Sequence, residues 1–400
     1  MKRVLVVINT LGRAGAETAL MELLRHLDPA RYDVSLYVLT GQGELVHELP
    51  PSVRLVNRHY SDSPVLSKAG RRQLARQVLR AMFTRWTLIR LLPGLCRNLW
   101  DMIRRGNVSL GRLLWRVMAD GGERLDTRYD LAVAFLEGGS TYYVADYVQA
   151  DKKAAFVHVD YRKAGYSREM DRDCYRQYDK IFPVSDEVKA SFLAVYPECA
   201  GRTEVFHNII NRDKILARAQ LPGGFSDGFD GMRLLTVGRL MKQKALEVSI
   251  EAMGLLKAAG ERARWYVLGE GDQRRFLEER IRTLGLEEDF LLLGAVDNPY
   301  PYMRQADLYV HASRFEGKSI AIQEAQILGK AILVSDCSGN REQVEQGVDG
   351  VMCPLTPEEL CRAIRELLRD AGERERLGVA AARKPQTDEG ELGKLLSLLS

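Results

Sequence analysis

"DLYVHASRFEGKSIAIQEAQILGKAILVS", residues 307–335, contains two short apolar runs separated by a polar turn and a helical segment. The runs 307–313 and 331–335 are continuous apolar stretches, which is typical of strands buried on both faces of a sheet. Between them, Ser319 can cap a helix that runs to about Leu328. A strand, a helix and a strand in this order predict one β-α-β unit of a parallel sheet.

The same alternation extends through the chain in both directions. Further apolar runs predicted as strands are 3–8, 32–39, 130–136, 153–159, 180–185, 233–238, 264–269 and 290–294. A chain of 400 residues is long enough for two domains, and the Gly/Asp-rich stretch 222–231 is typical of a linker. The sequence therefore predicts an α/β protein with two doubly wound parallel-sheet domains that face each other across a central cleft. The expected segments are an N-terminal domain (1–215) with an insert (61–125), a linker (216–231), a second domain (232–385) and a tail helix (386–400) that could pack back on the first domain.

Composition limits the class of protein. The chain is 46% hydrophobic and 28% charged, as in ordinary globular proteins. Its six cysteines are far apart and form no C-x-x-C, so neither a zinc cluster nor a disulfide framework is indicated. The apolar run Val4–Ile8 is too short for a signal peptide, and no stretch approaches the roughly 18–20 apolar residues of a membrane span. We expect a cytoplasmic protein, in solution or peripheral on the inner face of the cell membrane.

The positive charge is concentrated in the insert. Residues 61–125 hold 13 lysines and arginines against four acids, a net charge of +9, whereas the rest of the chain carries −5. This distribution argues against a general nucleic-acid binder. The stretch 71–90 predicts one amphipathic helix. Its apolar face consists of Leu74, Val78, Met82, Trp86 and Ile89. A row of arginines on another face consists of Arg72, Arg76 and Arg80.

Two interpretations of this helix remain open. Basic amphipathic helices that carry tryptophan suit an anionic membrane surface. The alternative is a helical hairpin packed on the first domain, with its arginines in solvent or along a groove for an acceptor.

Two glutamates and two cations follow predicted strands. Glu316 lies in the turn after 307–313, and Glu324 lies about five residues into the next helix, about 7–8 Å along its axis. Ionised carboxylates at the carboxyl ends of strands accept hydrogen bonds from paired hydroxyl groups, as on sugars and ribose, although two solvated surface acids would look the same. Arg239 and Lys244 follow the strand 233–238 and suit a diphosphate. The turn "VLGEGD" (267–272) lacks the third glycine of a dinucleotide fingerprint, which excludes a typical dehydrogenase.

These motifs, in this order and spacing, resemble the retaining family-4 glycosyltransferases of the GT-B fold. The resemblance rests on "VGRL…QK", "LGEGD", "LGAVDNPYPYMRQADLYVHASRFEGKSIAIQEA" and the E-x7-E spacing, and it continues into the N-terminal half. It implies that Arg239 and Lys244 hold the donor diphosphate, that Glu316 contacts the transferred sugar, and that Glu324 binds the nucleotide ribose. His158 matches the active-site histidine near the sugar, although a lone histidine after a strand is more often a core residue. Backbone close to sugar and phosphate is implied at Gly15, Gly238, Gly269, Glu270, Gly317, Lys318 and Ser319.

The resemblance implies transfer of a sugar from a UDP- or GDP-linked donor to a glycan or lipid-linked acceptor, in cell-envelope polysaccharide or glycolipid synthesis. No metal and no further cofactor are expected, because cations and helix N-termini can stabilise the leaving phosphate. One departure is Ala245, where relatives have glycine; if the backbone there needs a positive φ, alanine is strained. The alternatives are a non-catalytic binding subunit of the same fold and, less favoured, a glycoside hydrolase.

Overall fold

The computed structural model describes residues 1–65, 67–84, 87–104, 110–164, 166, 168–385 and 390–399, with the backbone alone for 68, 88–90, 93, 94, 101, 102 and 110–113. The chain divides into two compact units. The first comprises Met1–Ile209 together with Thr387–Ser400, and the second is Ile210–Gln386. Each has its own parallel sheet and its own hydrophobic core.

The sheet of the first unit has six strands in the order β3-β2-β1-β4-β5-β6. All pairs are parallel, and β1 lies in the middle, with Val4 opposite both Val34 and Leu131. The chain reverses direction across the sheet between β1 and β4, so this is the topological switch point. The strands are β1 (Lys2–Ile8), β2 (Tyr32–Val38), β3 (Val53–Leu55), β4 (Tyr129–Ala134), β5 (Ala150–Val157) and β6 (Lys180–Pro183).

The sheet of the second unit repeats the same topology. Its order is β12-β11-β10-β7-β8-β9, and all pairs are parallel. The switch point lies between β7 and β10, where Leu234 faces Leu308. The strands are β7 (Met232–Val237), β8 (Ala263–Leu268), β9 (Phe290–Gly294), β10 (Leu308–His311), β11 (Ile332–Ser335) and β12 (Val351–Cys353).

Helices connect the strands and cover both faces of each sheet, as the apolar strand sequences require. They are α1 (Gly15–Arg25), α2 (Lys68–Phe83), α3 (Thr87–Arg104), α4 (Leu110–Gly121), α5 (Gly139–Tyr147), α6 (Arg168–Asp171), α7 (Asp186–Leu193), α8 (Arg212–Ala219), α9 (Leu246–Ala258), α10 (Arg274–Thr283), α11 (Tyr300–Gln305), α12 (Ile320–Ile327), α13 (Ser338–Arg341), α14 (Pro357–Arg369), α15 (Ala371–Arg383) and α16 (Gly390–Leu396). None of the described helices is long and apolar enough to span a bilayer.

The basic insert differs from its prediction. The single helix expected over 71–90 is two helices, because α2 ends at Phe83 and Thr84 takes an extended conformation. Val78 and Met82 of the predicted apolar face pack against the core of the first unit. The predicted arginine row is exposed. Trp86 lies outside the described residues, as does the side chain of Ile89.

Two helices lie in a different unit from the neighbouring sequence. Helix α8 crosses the expected boundary between the N-terminal domain and the linker at residue 215, but all of it belongs to the second unit, where Ile215 and Ala219 join an apolar cluster. Helix α16 belongs to the first unit. There Glu391 accepts a hydrogen bond from the backbone N–H of His207, and Lys394 donates one to the carbonyl of Val205.

Candidate active site

The candidate site of the second unit forms at the switch point between β7 and β10. Parallel strands end at the same edge of a sheet, so the loops that follow β7 and β10 meet there. The first loop carries Arg239 and Lys244, and the second carries Glu316. The fold thus brings Lys244 into contact with Glu316, which lies 72 positions later in the sequence.

Lys244 and Glu316 form a buried ion pair. The ammonium of Lys244 lies 2.7 Å from Glu316 Oε1. The same oxygen accepts a hydrogen bond from the hydroxyl of Ser313, and Gln243 Nε2 lies 3.4 Å from Oε2. Burial alone would raise the pKa of Glu316, which is 7% exposed, but Lys244 and His311 outweigh it and hold this pKa well below its usual range. Glu316 is therefore an anion, and its position is set by several donors.

Arg239 differs from Lys244 in its surroundings. Its side chain is exposed, and its guanidinium has no hydrogen-bond or ion-pair partner among the residues that the structure describes. Gly238 precedes it, and a Cβ at this position would lie 3.4 Å from Cε of Lys244. The two predicted cations thus follow one strand, one already neutralised by a carboxylate and the other free to bind an anion.

The Gly-x-Gly turn after β8 has a packing role. Gly269 has φ +153°, and a Cβ there would lie 1.9 Å from the carbonyl oxygen of Gly238. The backbone N–H of Leu240 donates to the carbonyl of Glu270, which joins the two loops. The carboxylate of Glu270, predicted near the donor, is held by both Nε and Nη2 of Arg274 at 2.9 and 2.8 Å. Gly269 is thus needed for the close approach of the β7 and β8 loops.

The start of α12 differs in one respect from the prediction. Ser319 occupies the N-cap position, but its side chain makes no capping hydrogen bond. Instead, its backbone N–H donates to Gln343 Oε1 at 2.7 Å, and its carbonyl accepts from Gln343 Nε2. The N–H of Ser319, expected near sugar and phosphate, is therefore already occupied. Gly317 and Lys318 precede it in the same turn, and a Cβ on Gly339 would lie 2.3 Å from the carbonyl oxygen of Gly317.

Glu324 is a buried carboxyl in the middle of α12. It is the fifth residue of the helix, as predicted, and its Oε1 accepts a hydrogen bond from the hydroxyl of Tyr300 at 2.8 Å. Burial raises its pKa to about 7, against the lowering effects of Tyr300 and of the cations Arg218 and Lys214. Glu324 is not a solvated surface acid, and near neutral pH it exchanges a proton.

His158 and Gly15 lie in the first unit. His158 directly follows β5, and its backbone N–H donates to Glu137 Oε2 at 2.9 Å. Its Nε2 is buried and has no partner among the described residues. Burial lowers the pKa of His158 to about 4, so the imidazole is neutral at neutral pH. Gly15 is the first residue of α1, after β1.

Several side chains of the second unit that contact predicted site residues escaped the sequence analysis, among them His311, Gln243, Tyr300, Ser313 and Gln343. His311 ends β10 with its Nε2 at 3.1 Å from Glu316 Oε1. In the sequence analysis, His311 lay in the run 307–313, which was assigned only as a strand. Its two-residue spacing from Ser313 was the available signal, because residues two apart in a strand share a face. Gln243 and Tyr300 lie inside the stretches on which the resemblance rests, but no role was assigned to either residue there.

Known proteins resemble this chain in sequence and in fold. Residues 230–384 match the family described as "Glycosyl transferases group 1". Anabaena HepE, solved in complex with UDP and glucose, superimposes over 99% of this chain and 100% of its own with a TM-score of 0.69 at 17% identity. Sucrose-phosphate synthase from Thermosynechococcus elongatus gives a TM-score of 0.69 at 15% identity over 100% of this chain and 99% of its own. The chain has the GT-B fold.

Relatives with named activities match over shorter segments. The N-acetylgalactosamine-N,N'-diacetylbacillosaminyl-diphospho-undecaprenol 4-alpha-N-acetylgalactosaminyltransferase of Campylobacter jejuni is 30% identical over 198 residues, 49% of this chain and 52% of that protein. The alpha-D-kanosaminyltransferase of Streptomyces kanamyceticus is 31% identical over 156 residues, 38% of this chain and 40% of that protein. The chain thus spans about half the length or less of these relatives. The residues that match the family model, 230–384, lie within its second unit.

Proposed function

We propose that the protein is a retaining glycosyltransferase that moves a sugar from a UDP- or GDP-linked donor to a glycan or lipid-linked acceptor, in cell-envelope polysaccharide or glycolipid synthesis. The observation that carries the proposal is the ion pair of Lys244 and Glu316 beside the exposed Arg239. A fixed anion suits the hydroxyl groups of a sugar, and two cations suit a diphosphate. Support for the donor comes from HepE, whose structure contains UDP and glucose. Support for a lipid-linked acceptor comes from the diphospho-undecaprenol in the name of the Campylobacter relative.

The reaction breaks the bond between C1 of the sugar and the phosphate oxygen, and negative charge develops on the diphosphate. Arg239 and Lys244 would stabilise that charge electrostatically, so no metal ion is required. The acceptor hydroxyl would attack C1 on the face of the leaving group, and the departing phosphate would take its proton. This course retains the configuration at C1. Glu316 would orient the sugar, and Glu324 would bind the ribose.

His158 would take part as a neutral group. Its buried Nε2 has no partner among the described residues, and an orphaned polar atom of this kind is expected to gain a hydrogen bond from a ligand. A neutral imidazole can accept from, or donate to, a sugar hydroxyl.

Nucleotide-sugars offer a direct test of the function. We would screen UDP- and GDP-sugars for thermal stabilisation, since a bound donor raises stability by RT ln(1 + [L]/Kd). The stabilising donor would then be incubated without acceptor, and release of nucleoside diphosphate would be measured with and without EDTA. Slow release that EDTA does not change supports a metal-independent transferase. Binding without any release supports the non-catalytic alternative, and cleavage of simple glycosides would indicate a hydrolase.

We also propose that the insert contacts an anionic membrane surface. Val78 and Met82 pack against the core of the first unit, but α2 and α3 leave other apolar side chains exposed: Leu79, Phe83, Leu92, Trp100 and Ile103. Each basic residue near an anionic surface contributes about 1 kcal/mol. We expect the protein to co-sediment with anionic vesicles in a salt-sensitive way. This binding should be lost when Arg72, Arg76 and Arg80 become glutamine. It should be kept in an Arg275→Gln/Arg282→Gln control. No binding to any vesicle contradicts this contact.

A further inference from the structure

A buried histidine lies between the two charged groups of the donor site. His311 is 1% exposed and ends β10. Its Nε2 lies 3.1 Å from Glu316 Oε1 and 3.2 Å from the ammonium of Lys244. Its Nδ1 lies 3.2 Å from the hydroxyl of Tyr309, a fully buried residue. His311 thus touches the ion pair with one ring nitrogen and the core of the sheet with the other.

The contacts favour one protonation state of the ring. Burial, and then the charge of Lys244, lower the pKa of His311, so the imidazole is neutral and has one N–H. A carboxylate accepts hydrogen bonds and an ammonium only donates them. With the proton on Nε2, the ring donates to Glu316, and Nδ1 can accept from the hydroxyl of Tyr309, which lies nearer to Nδ1 (3.2 Å) than to the carbonyl oxygen of Val237 (3.4 Å). With the proton on Nδ1, Nε2 would accept from Lys244 instead, but that ammonium already donates to Glu316, and the contact between Nε2 and the carboxylate would hold no hydrogen.

We propose that His311 is a positioning residue, whose Nε2–H holds the Glu316 carboxylate in place while Lys244 binds the donor diphosphate; this rests on the function proposed above. Glu316 Oε1 has three partners in the structure: Lys244, His311 and Ser313. Lys244 comes from the β7 loop and would be drawn toward the phosphates. His311 and Ser313 belong to the same segment as Glu316, so they keep the carboxylate oriented toward the sugar when the ammonium is shared.

Substitution of His311 separates positioning from binding. In His311→Gln the side-chain amide can donate from nearly the position of Nε2. The shorter asparagine of His311→Asn cannot reach that position. The leucine of His311→Leu cannot donate a hydrogen bond. A displacement of a catalytic group by about 1 Å can cost up to about 100-fold in rate. We therefore expect the asparagine and leucine variants to lower kcat by about tenfold or more, with the Kd for UDP or GDP changed by less than about threefold. The glutamine variant should recover most of kcat, and His47→Gln, an exposed histidine of the first unit, should behave as wild type.

Nitrogen-15 NMR of the histidine side chains supplies a readout that does not need turnover. We expect His311 to be neutral with its proton on Nε2 at neutral pH, and its signal to shift in Glu316→Gln. A proton on Nδ1, a charged ring, or a wild-type kcat in His311→Leu would overturn the proposal. If the tautomer is as expected but no nucleotide-sugar is turned over, the proposed function has failed rather than the geometry of His311.

Discussion

Lys244 would serve two anions in the proposed reaction. Its ammonium is already paired with Glu316, so a diphosphate must compete with, or share, an existing partner. Arg239 has no partner among the described residues and is exposed. The two cations should therefore differ in what their removal does to folding, although both would contribute to binding.

Alanine substitutions of the two cations test this difference. Arg239→Ala should weaken binding of UDP or GDP by about tenfold or more, since a charge-assisted hydrogen bond contributes about 1.5–3 kcal/mol, and it should leave Tm unchanged. Lys244→Ala should weaken binding similarly and also lower Tm, because it leaves a buried carboxylate without its countercharge. Calorimetric titration and thermal unfolding measure both effects. Lys242→Ala, an exposed cation of the same loop, is the matched control, and wild-type binding in Arg239→Ala would remove that residue from the site.

Glu316→Gln keeps the shape of the side chain but removes its charge. The neutral amide is a weaker acceptor for sugar hydroxyls, so kcat should fall by about tenfold or more while binding of free UDP or GDP changes little. Glu324→Ala should weaken binding of nucleotide and nucleotide-sugar alike, because its expected partner is the ribose. Steady-state kinetics and titrations of both variants measure these effects. The reverse pattern would exchange the roles of the two glutamates.

Glu324 also makes stability depend on pH. Its pKa rises from 4.5 to about 7 on folding. The folded chain therefore binds the proton more tightly, and the contribution of this group to stability is complete below pH 4.5 and is lost as the pH rises through about 7. The loss approaches about 3 kcal/mol for a buried group with this shift.

Urea unfolding at about pH 5 and about pH 8 checks this loss. Glu324→Gln should be less sensitive to pH than wild type, because glutamine does not ionise. Glu279→Gln, an exposed acid on α10, is the control and should follow wild type. Equal pH dependence in wild type and Glu324→Gln would mean that Glu324 ionises normally.

At the scale of elements, the turn between β7 and α9 is strained. Ala245 has φ +45° and ψ +35°, the left-handed conformation, and is fully buried just before α9. This conformation costs a non-glycine residue about 1–2 kcal/mol. The position of Lys244, one residue earlier, depends on this turn.

Ala245→Gly should therefore stabilise the second unit. Glycine relieves the strain but gains freedom in the unfolded chain, so the expected net gain in the free energy of unfolding is about 1 kcal/mol or less. Urea unfolding measures it, and Ala258→Gly at the end of α9, where the backbone is helical, should destabilise instead. A loss of stability in Ala245→Gly would mean that the side chain of Ala245 packs too well to be removed.

The elements also show which features a sequence can predict. The alternation of apolar runs located most of the strands, and the helix from Ser319 ends within a residue of its predicted end, because burial on both faces and the helical period leave local patterns. Strands β3 and β12 were missed, since each has three residues and too short a pattern. The break after Phe83 was also missed, because the apolar spacing continues through it.

Within the site, motifs identified Lys244 and Glu316, but their mutual pairing and the contact with His311 needed the fold. The pair of Lys244 and Glu316 joins two loops, for which the sequence contains no local pattern, whereas His311 lies five residues from Glu316 in the same segment. Likewise, the glycine at 269 was assigned to the donor, whereas the structure also requires it for the approach to Gly238. Long-range packing of this kind follows only from the order of the strands.

At the scale of the whole molecule, helix α16 follows the second unit in sequence but belongs to the first unit. Leu392 and Leu395 of α16 are buried, at 7% and 1% exposure. The helix is further held by Glu391 and Lys394, which bond to the backbone of His207 and Val205. The first unit is thus completed by residues that follow the second unit in sequence, so its stability should depend on them.

Leu395→Ala tests this dependence. Removal of a buried leucine side chain costs about 2–5 kcal/mol, and the loss should fall on the first unit, because α16 belongs to it. Hydrogen exchange should therefore rise in β1 and β4 and remain unchanged in β7 and β10, while titration with UDP or GDP gives the wild-type Kd. Val379→Ala, at an exposed position of α15, is the matched control and should change neither unit. Faster exchange confined to the second unit in Leu395→Ala would place the stabilising contacts of α16 elsewhere, whereas equal loosening of both units would mean that they unfold as one cooperative body.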